Sequence, residues 1–189
     1  MNKTIALMLL ISVFSIAQTK NCVFEINEKT DSTSLKTLPQ KLIHEKIFGN
    51  SNEYLFFSLV NENGVPILNV QFLQKSSDFI SAKCMSKNSK IFFQLNNGKI
   101  ITLIKAFEET CSDLNYDETN KNNIRILNTY FYFTQTNYDE LKNSPIALMR
   151  IQFIGETKDY VFKADLESEI LQIKSKPSSY FMEYLNCVE

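Results

Sequence analysis

The chain has 189 residues, of which 44% are hydrophobic and 22% charged. That length suits one domain, or two small ones, with a sizeable core. Lys and Arg number 20 against 21 Asp and Glu, and the net charge of −1 with no long run of either sign disfavours nucleic acid and acidic membrane surfaces as partners.

Residues 1–17 read MNKTIALMLLISVFSIA. Lys3 lies beside the amino terminus, and an apolar run from Ile5 to Ile16 follows, broken only by Ser12 and Ser15. Ser15 and Ala17 are small residues at the −3 and −1 positions of a cut before Gln18, so the layout is that of a secretory signal peptide. The run is shorter than the ~18–20 residues of a spanning helix, which disfavours a retained anchor. Thr19, Lys20 and Asn21 precede Cys22, and polar residues there do not suit lipid attachment. The expectation is an exported chain, periplasmic or secreted, not lipid-anchored and without a further membrane span.

Residues 18–36 form a polar arm, with Thr30, Asp31, Ser32, Thr33 and Ser34 in a row. A single β-rich domain is expected over 37–189. Leu38 to Phe48 reads as a first strand ended by Gly49. Tyr54 to Val60 and Pro66 to Leu73 flank Asn63-Gly64, a hairpin signal because both residues tolerate positive φ. Phe79 to Cys84 reads as a short strand. Ile91 to Leu95 and Lys99 to Ala106 flank a second Asn-Gly, Asn97-Gly98. Residues 108–123 read as a polar loop. Ile124 to Thr134 is apolar on both alternating sets, so both faces should be covered. Asn137 and Glu140 have the spacing of a capping box opening a short helix over 138–143, which Pro145 stops. Ile146 to Ile154 and Tyr160 to Ala164 are strands joined around Gly155. Pro177 can open a closing helix near 178–187, with Tyr180, Phe181, Tyr184, Leu185 and Cys187 along one face. The fold class is α+β, mostly antiparallel sheet and sandwich-like, closed by the terminal helix.

All four cysteines, Cys22, Cys84, Cys111 and Cys187, lie beyond the signal peptide. An even count in an exported chain favours disulfides, and four cysteines allow three pairings. Cys84–Cys111 is favoured because the two flank the second hairpin. Cys22–Cys187 then joins the domain ends, which often lie together. No C-x-x-C spacing supports a thiol oxidoreductase.

Residues with catalytic potential are sparse. His44 is the only histidine; it begins no H-E-x-x-H, and no G-x-S-x-G accompanies any serine. Asp113, Asn115 and Asp117 mimic the start of a calcium loop. Glu118 stands where glycine is wanted, however, and Ile124 where a bidentate glutamate is wanted. Carboxylates such as Glu108, Glu109, Asp159, Asp165, Glu167 and Glu169 are scattered. The chain has no Trp for stacking sugars. Phe56, Phe57, Phe92, Phe93, Tyr130, Phe131, Tyr132 and Phe133 read first as core, and otherwise as the lining of a ligand cavity. Arg150 interrupts an apolar strand. It is either an edge arginine lying along apolar surface or an anion clamp and possible ligand contact. No cofactor and no metal site is expected.

The segments FFSLVNENGVPILN, SKIFFQLNNGKIITLI and YFMEYLNCVE together resemble a group of small uncharacterised exported bacterial proteins. The resemblance covers most of the chain beyond the signal peptide. It implies a β-rich body and a terminal helix carrying a cysteine, and brings no activity. The functional expectation is therefore a disulfide-bonded, non-enzymatic binding or structural module of the bacterial envelope, with an unknown envelope or extracellular partner. The alternatives are a small-ligand carrier with an aromatic-lined cavity and a hydrolase using carboxylates alone.

Overall fold

The computed structural model describes residues 22–134 and 137–189; the expected signal peptide lies outside the described residues. Strands dominate. In chain order they are β1 (Ile26–Lys29), β2 (Ser34–Thr37), β3 (Lys41–Phe48), β4 (Ser51–Glu62), β5 (Val65–Ser76), β6 (Cys84–Met85), β7 (Lys90–Leu95) and β8 (Ile100–Lys105). Then come β9 (Thr110–Cys111), β10 (Asp113–Asp117), β11 (Asn122–Tyr132), helix α1 (Tyr138–Asn143), β12 (Ile146–Gln152) and β13 (Thr157–Val161). The chain closes with β14 (Leu166–Ser168), β15 (Ile173–Ser175) and helix α2 (Tyr180–Tyr184), the last flanked by 3-10 turns at Pro177–Ser179 and Leu185–Val188.

Eleven strands form one antiparallel sheet, ordered β1-β2-β4-β5-β11-β8-β7-β12-β13, with β3 beside β4 and β10 beside β11. Strand β11 is where the sheet turns over. It pairs with β5 along its length, but only Phe131 and Tyr132 at its end pair with Lys105 and Ile104 of β8. The two halves therefore face each other. Phe57 of β4 lies 6.1 Å from Phe93 of β7, and Phe72 of β5 lies 5.2 Å from Phe153 beyond β12. Period-2 alternation sends Leu55, Phe57 and Leu59, and Ile91, Phe93 and Leu95, into this interior. Burying each such side chain contributes about 1.5–3 kcal/mol.

One end of the sandwich is plugged by the C-terminal segment. Phe181 packs against Phe57, Phe93 and Phe133. Asn61 donates from Nδ2 to the Val188 carbonyl at 2.7 Å, and the Tyr138 hydroxyl donates to the Leu185 carbonyl at 3.2 Å. Cys22 is bonded to Cys187, and Cys84 to Cys111, with Cα atoms 5.6 Å and 4.0 Å apart. Both bonds match the favoured pairing. Strands β3 and β13 form the two borders of the folded sheet, and no ladder joins them among the described residues. Side chains cross that seam instead. The His44 ring meets the Tyr160 ring edge-on at 5.1 Å, and Lys158 donates to both carboxylate oxygens of Glu53.

Several expectations need correction. The protein is nearly all β rather than α+β: α1 has six residues and α2 five. The closing helix near 178–187 is therefore an α-turn between 3-10 turns. The strand expected over Phe79 to Cys84 shrinks to Cys84–Met85, and Phe79 points to solvent. The polar loop over 108–123 contains β9 and β10. Helix α1 has the expected bounds, but no side-chain cap bond forms at Asn137. The Glu140 carboxylate is taken by Lys99 and Asn97.

Candidate binding surface

The outward-facing residues of the sheet divide into a covered half and a bare half. Over β3, β4 and β5 the outward Leu42, Tyr54, Phe56 and Leu73 are covered by Leu166 and Leu171 of the β14–β15 hairpin. That hairpin is held by two hydroxyls. Ser175 donates to the Leu42 carbonyl at 2.5 Å, and Ser168 donates to the Glu45 carboxylate at 2.6 Å. The hairpin was missed in the sequence, because LESEILQIKS mixes apolar and polar residues without a clean period.

The other half carries apolar side chains with no such cover. Register places Val161 beside Leu148, Leu148 beside Gln94, and Gln94 beside Ile100. Phe92 lies between Arg150 and Thr102, and Ile104 beside Tyr132. Phe107 then stacks edge-on against Tyr130 at 5.6 Å. Val161 is 68% exposed and Ile100 67% exposed. The result is a continuous apolar strip across β13, β12, β7, β8 and β11.

Arg150 stands within this strip and helps line a shallow groove of about 380 Å³ with Phe92, Gln94, Ile100, Leu148 and Gln152. Its guanidinium is engaged by Asp159, directly across the β12–β13 hairpin. Nε donates to Oδ1 at 2.7 Å and Nη2 to Oδ2 at 2.6 Å. The Arg150 hydrogen bonds hold the Asp159 carboxyl below the usual carboxylate range. Both side chains are substantially exposed. The strip is thus apolar with one internally neutralised ion pair at its middle.

The aromatics of the sequence do not line one cavity. Phe57, Phe93 and Phe131 are buried inside the sandwich, whereas Phe56, Phe92, Tyr130 and Tyr132 face outward and are only partly buried. His44 sits at the β3–β13 seam. Burial lowers its pKa most; Lys158, Lys163 and Lys46 lower it further, and Glu53 opposes them. Glu53 is itself engaged by Lys158 and by Gln74, whose Nε2 donates at 3.3 Å. Asp117 of the calcium-like segment uses its carboxylate to close the turn at Thr119 and Asn120. Among the described residues, no group of three or more His, Cys, Asp and Glu side chains could hold a metal. No described helix is long and apolar enough to cross a membrane.

A second concavity of about 520 Å³ lies between β3, the β14–β15 hairpin and α2, with Lys41, Asp165, Lys176, Tyr180 and Tyr184 in its walls. Of the scattered carboxylates, it brings together Asp165 and Glu167; Glu167 pairs with Lys174 at 2.8 Å. Comparison with known proteins finds no matching family model, no similar curated protein and no similar solved structure.

Proposed function

We propose that this chain is an exported, disulfide-bonded binding module of the bacterial envelope, without catalytic activity of its own, which holds a protein partner on the bare outer face of its sheet. The observation that carries the reading is the contrast between the two halves of that face. One half is covered by the chain's own hairpin; the other leaves Val161, Ile100, Ile104 and Phe107 in solvent. Contiguous exposed apolar surface of this kind marks interaction sites on stable proteins. The Arg150–Asp159 pair supports a protein partner, because two neutralised charges within an apolar strip give orientation without net attraction. Export rests on the leader-like segment, on the resemblance to exported bacterial proteins, and on two disulfides that persist in oxidising compartments.

The test is in cells. A photo-crosslinking residue at Ile100 should trap one discrete product in the envelope fraction, and the same residue at Lys29 should not. Ile104→Lys should abolish that product while leaving the melting temperature unchanged. Absence of a product at Ile100, or equal labelling at both positions, sinks the reading. A chain confined to the cytoplasm sinks the export part.

The second reading, a small-ligand carrier, finds support in the concavity beside α2, whose volume lies in the range of ligand sites. Tyr180 in its wall is buried and its hydroxyl has no hydrogen-bond partner. This reading requires a compound that raises the melting temperature of the wild type but not of Lys41→Gln.

A further inference from the structure

The two most exposed large hydrophobic side chains are aromatic and lie at one end of the sandwich. Phe48 is 79% exposed and Phe79 is 76% exposed. Phe48 ends β3, immediately before the two-residue turn Gly49–Asn50, and Gly49 has φ +54°. A glycine with positive φ at that first turn position makes a tight hairpin that holds Phe48 at a fixed tip. Register places Phe48 beside Ser51, and Ser51 beside Ser76 at the end of β5. Phe79 follows three residues later in the next loop.

That loop is anchored on both sides of the aromatic ring. The Asp78 carbonyl accepts from Asn123 Nδ2 at 3.1 Å, and the Ile80 carbonyl accepts from Arg125 Nε at 3.0 Å. The two loops are neighbours, since Phe48 and Ile80 line the same small depression with Lys46 and Lys158. Over residues 46–52 and 75–83 the charged side chains are Lys46, Lys75 and Lys83 against Asp78 alone. Lys46 makes no ion pair among the described residues. The balanced charge of the whole chain conceals this local cationic excess.

We propose that this end of the molecule docks on a lipid surface, with Phe48 and Phe79 entering the boundary between headgroups and acyl chains and Lys46 remaining at headgroup level. Two features select lipid over a folded partner. The aromatic rings project from convex tips, and a fluid apolar layer accepts such tips without a preformed pocket. The lysines beside them complement anionic headgroups, and aromatic rings with lysine stems suit the interface between water and hydrocarbon. The anchored backbones display the two rings without an ordering cost at the moment of docking.

The experiment is co-sedimentation of the disulfide-bonded chain with vesicles of phosphatidylcholine, with and without phosphatidylglycerol. Binding to both is expected, severalfold tighter with the anionic lipid. Phe48→Ser and Phe79→Ser should each lower partitioning about tenfold, from the apolar area withdrawn. Ile100→Ser on the sheet face should leave it unchanged, so failure here and failure of the partner-binding face are distinguishable. Both Phe side chains are mostly in solvent, so these variants should keep the wild-type melting temperature, which is measured alongside. No sedimentation at either composition overturns the proposal. So does binding abolished by high salt and indifferent to the double variant. A protein trapped by a crosslinker at Phe48 in lipid-free extract also overturns it, by making the tips a protein-docking pair.

Discussion

At the scale of single residues, His44 and Arg150 show how far side-chain identity carries. The isolation of Arg150 within an apolar run is visible in the sequence. Its role was legible too, in retrospect: a hairpin turning at Gly155 brings position 159 opposite position 150. His44 was not legible, because the groups that act on it come from distant parts of the chain. Glu53 lies on β4, Lys158 on β13, Lys163 just beyond β13, and Lys46 on its own strand, while the Tyr160 ring covers it. Its folded-state pKa is depressed below 6.5, mainly by burial. The unfolded chain therefore binds the proton more tightly than the folded one. The stability His44 contributes is present above its unfolded pKa and is lost as pH falls through the folded value. Urea midpoints should accordingly drop on acidification below about pH 6.5, and His44→Gln should flatten that segment of the profile; a wild-type slope retained in the variant would assign it to other groups. Lys105 is a second residue the sequence hid. It is buried, and its ammonium donates to the Phe107 and Glu108 carbonyls and to the Thr110 hydroxyl. Lys105→Met should cost about 1–3 kcal/mol by stripping those acceptors, read as a lower denaturation midpoint with faster amide exchange at Glu109 and Thr110.

At the scale of elements, the turns were the most readable part. Asn63 and Gly64 both have positive φ, at +53° and +85°, which is the turn their residue types demand between β4 and β5. A Cβ at Gly64 would meet nothing within 4 Å, so Gly64→Ala tests backbone conformation alone. It should destabilise by about 1–2 kcal/mol, measurable as a lower denaturation midpoint at unchanged cooperativity. Strands that were missed share a physical reason. All but one residue of β10 is exposed, and its sequence DLNYD has no buried set to create a pattern. Such edge strands are defined by main-chain pairing, which composition does not encode. Phe79 misled in the opposite direction. An aromatic followed by isoleucine suggests a buried strand, and here both side chains belong to a loop tied down by Asn123 and Arg125. The capping box failed because Glu140 has a stronger partner in Lys99, on a neighbouring turn.

At the scale of the whole molecule, antiparallel sheet and the disulfide pairing were readable, whereas the folding-over at β11 was not. That turn depends on only two β8 residues meeting the end of β11, a long-range register that no local period reveals. The bare outer strip was equally hidden. The same apolar alternation fills the core on one side and faces water on the other, and only the placement of the β14–β15 hairpin decides which half is covered. The two disulfides should differ in worth. They span sequence separations of 165 and 27 residues. In the chain-entropy account, removing the longer one costs about 5 kcal/mol and the shorter one roughly 3–4 kcal/mol. Paired Cys→Ser variants, compared by denaturant midpoint, should therefore rank with Cys22/Cys187 as the more damaging loss.

The same long bridge has a mechanical consequence. Cys22 and Cys187 lie side by side and enclose every strand of the sheet between them. A pulling load applied to the chain outside these two positions passes straight through the sulfur–sulfur bond. The sheet carries none of it while the bond is oxidised. The protein then behaves under tension as a short inextensible link, and reduction would turn the same domain into one that unravels and lengthens.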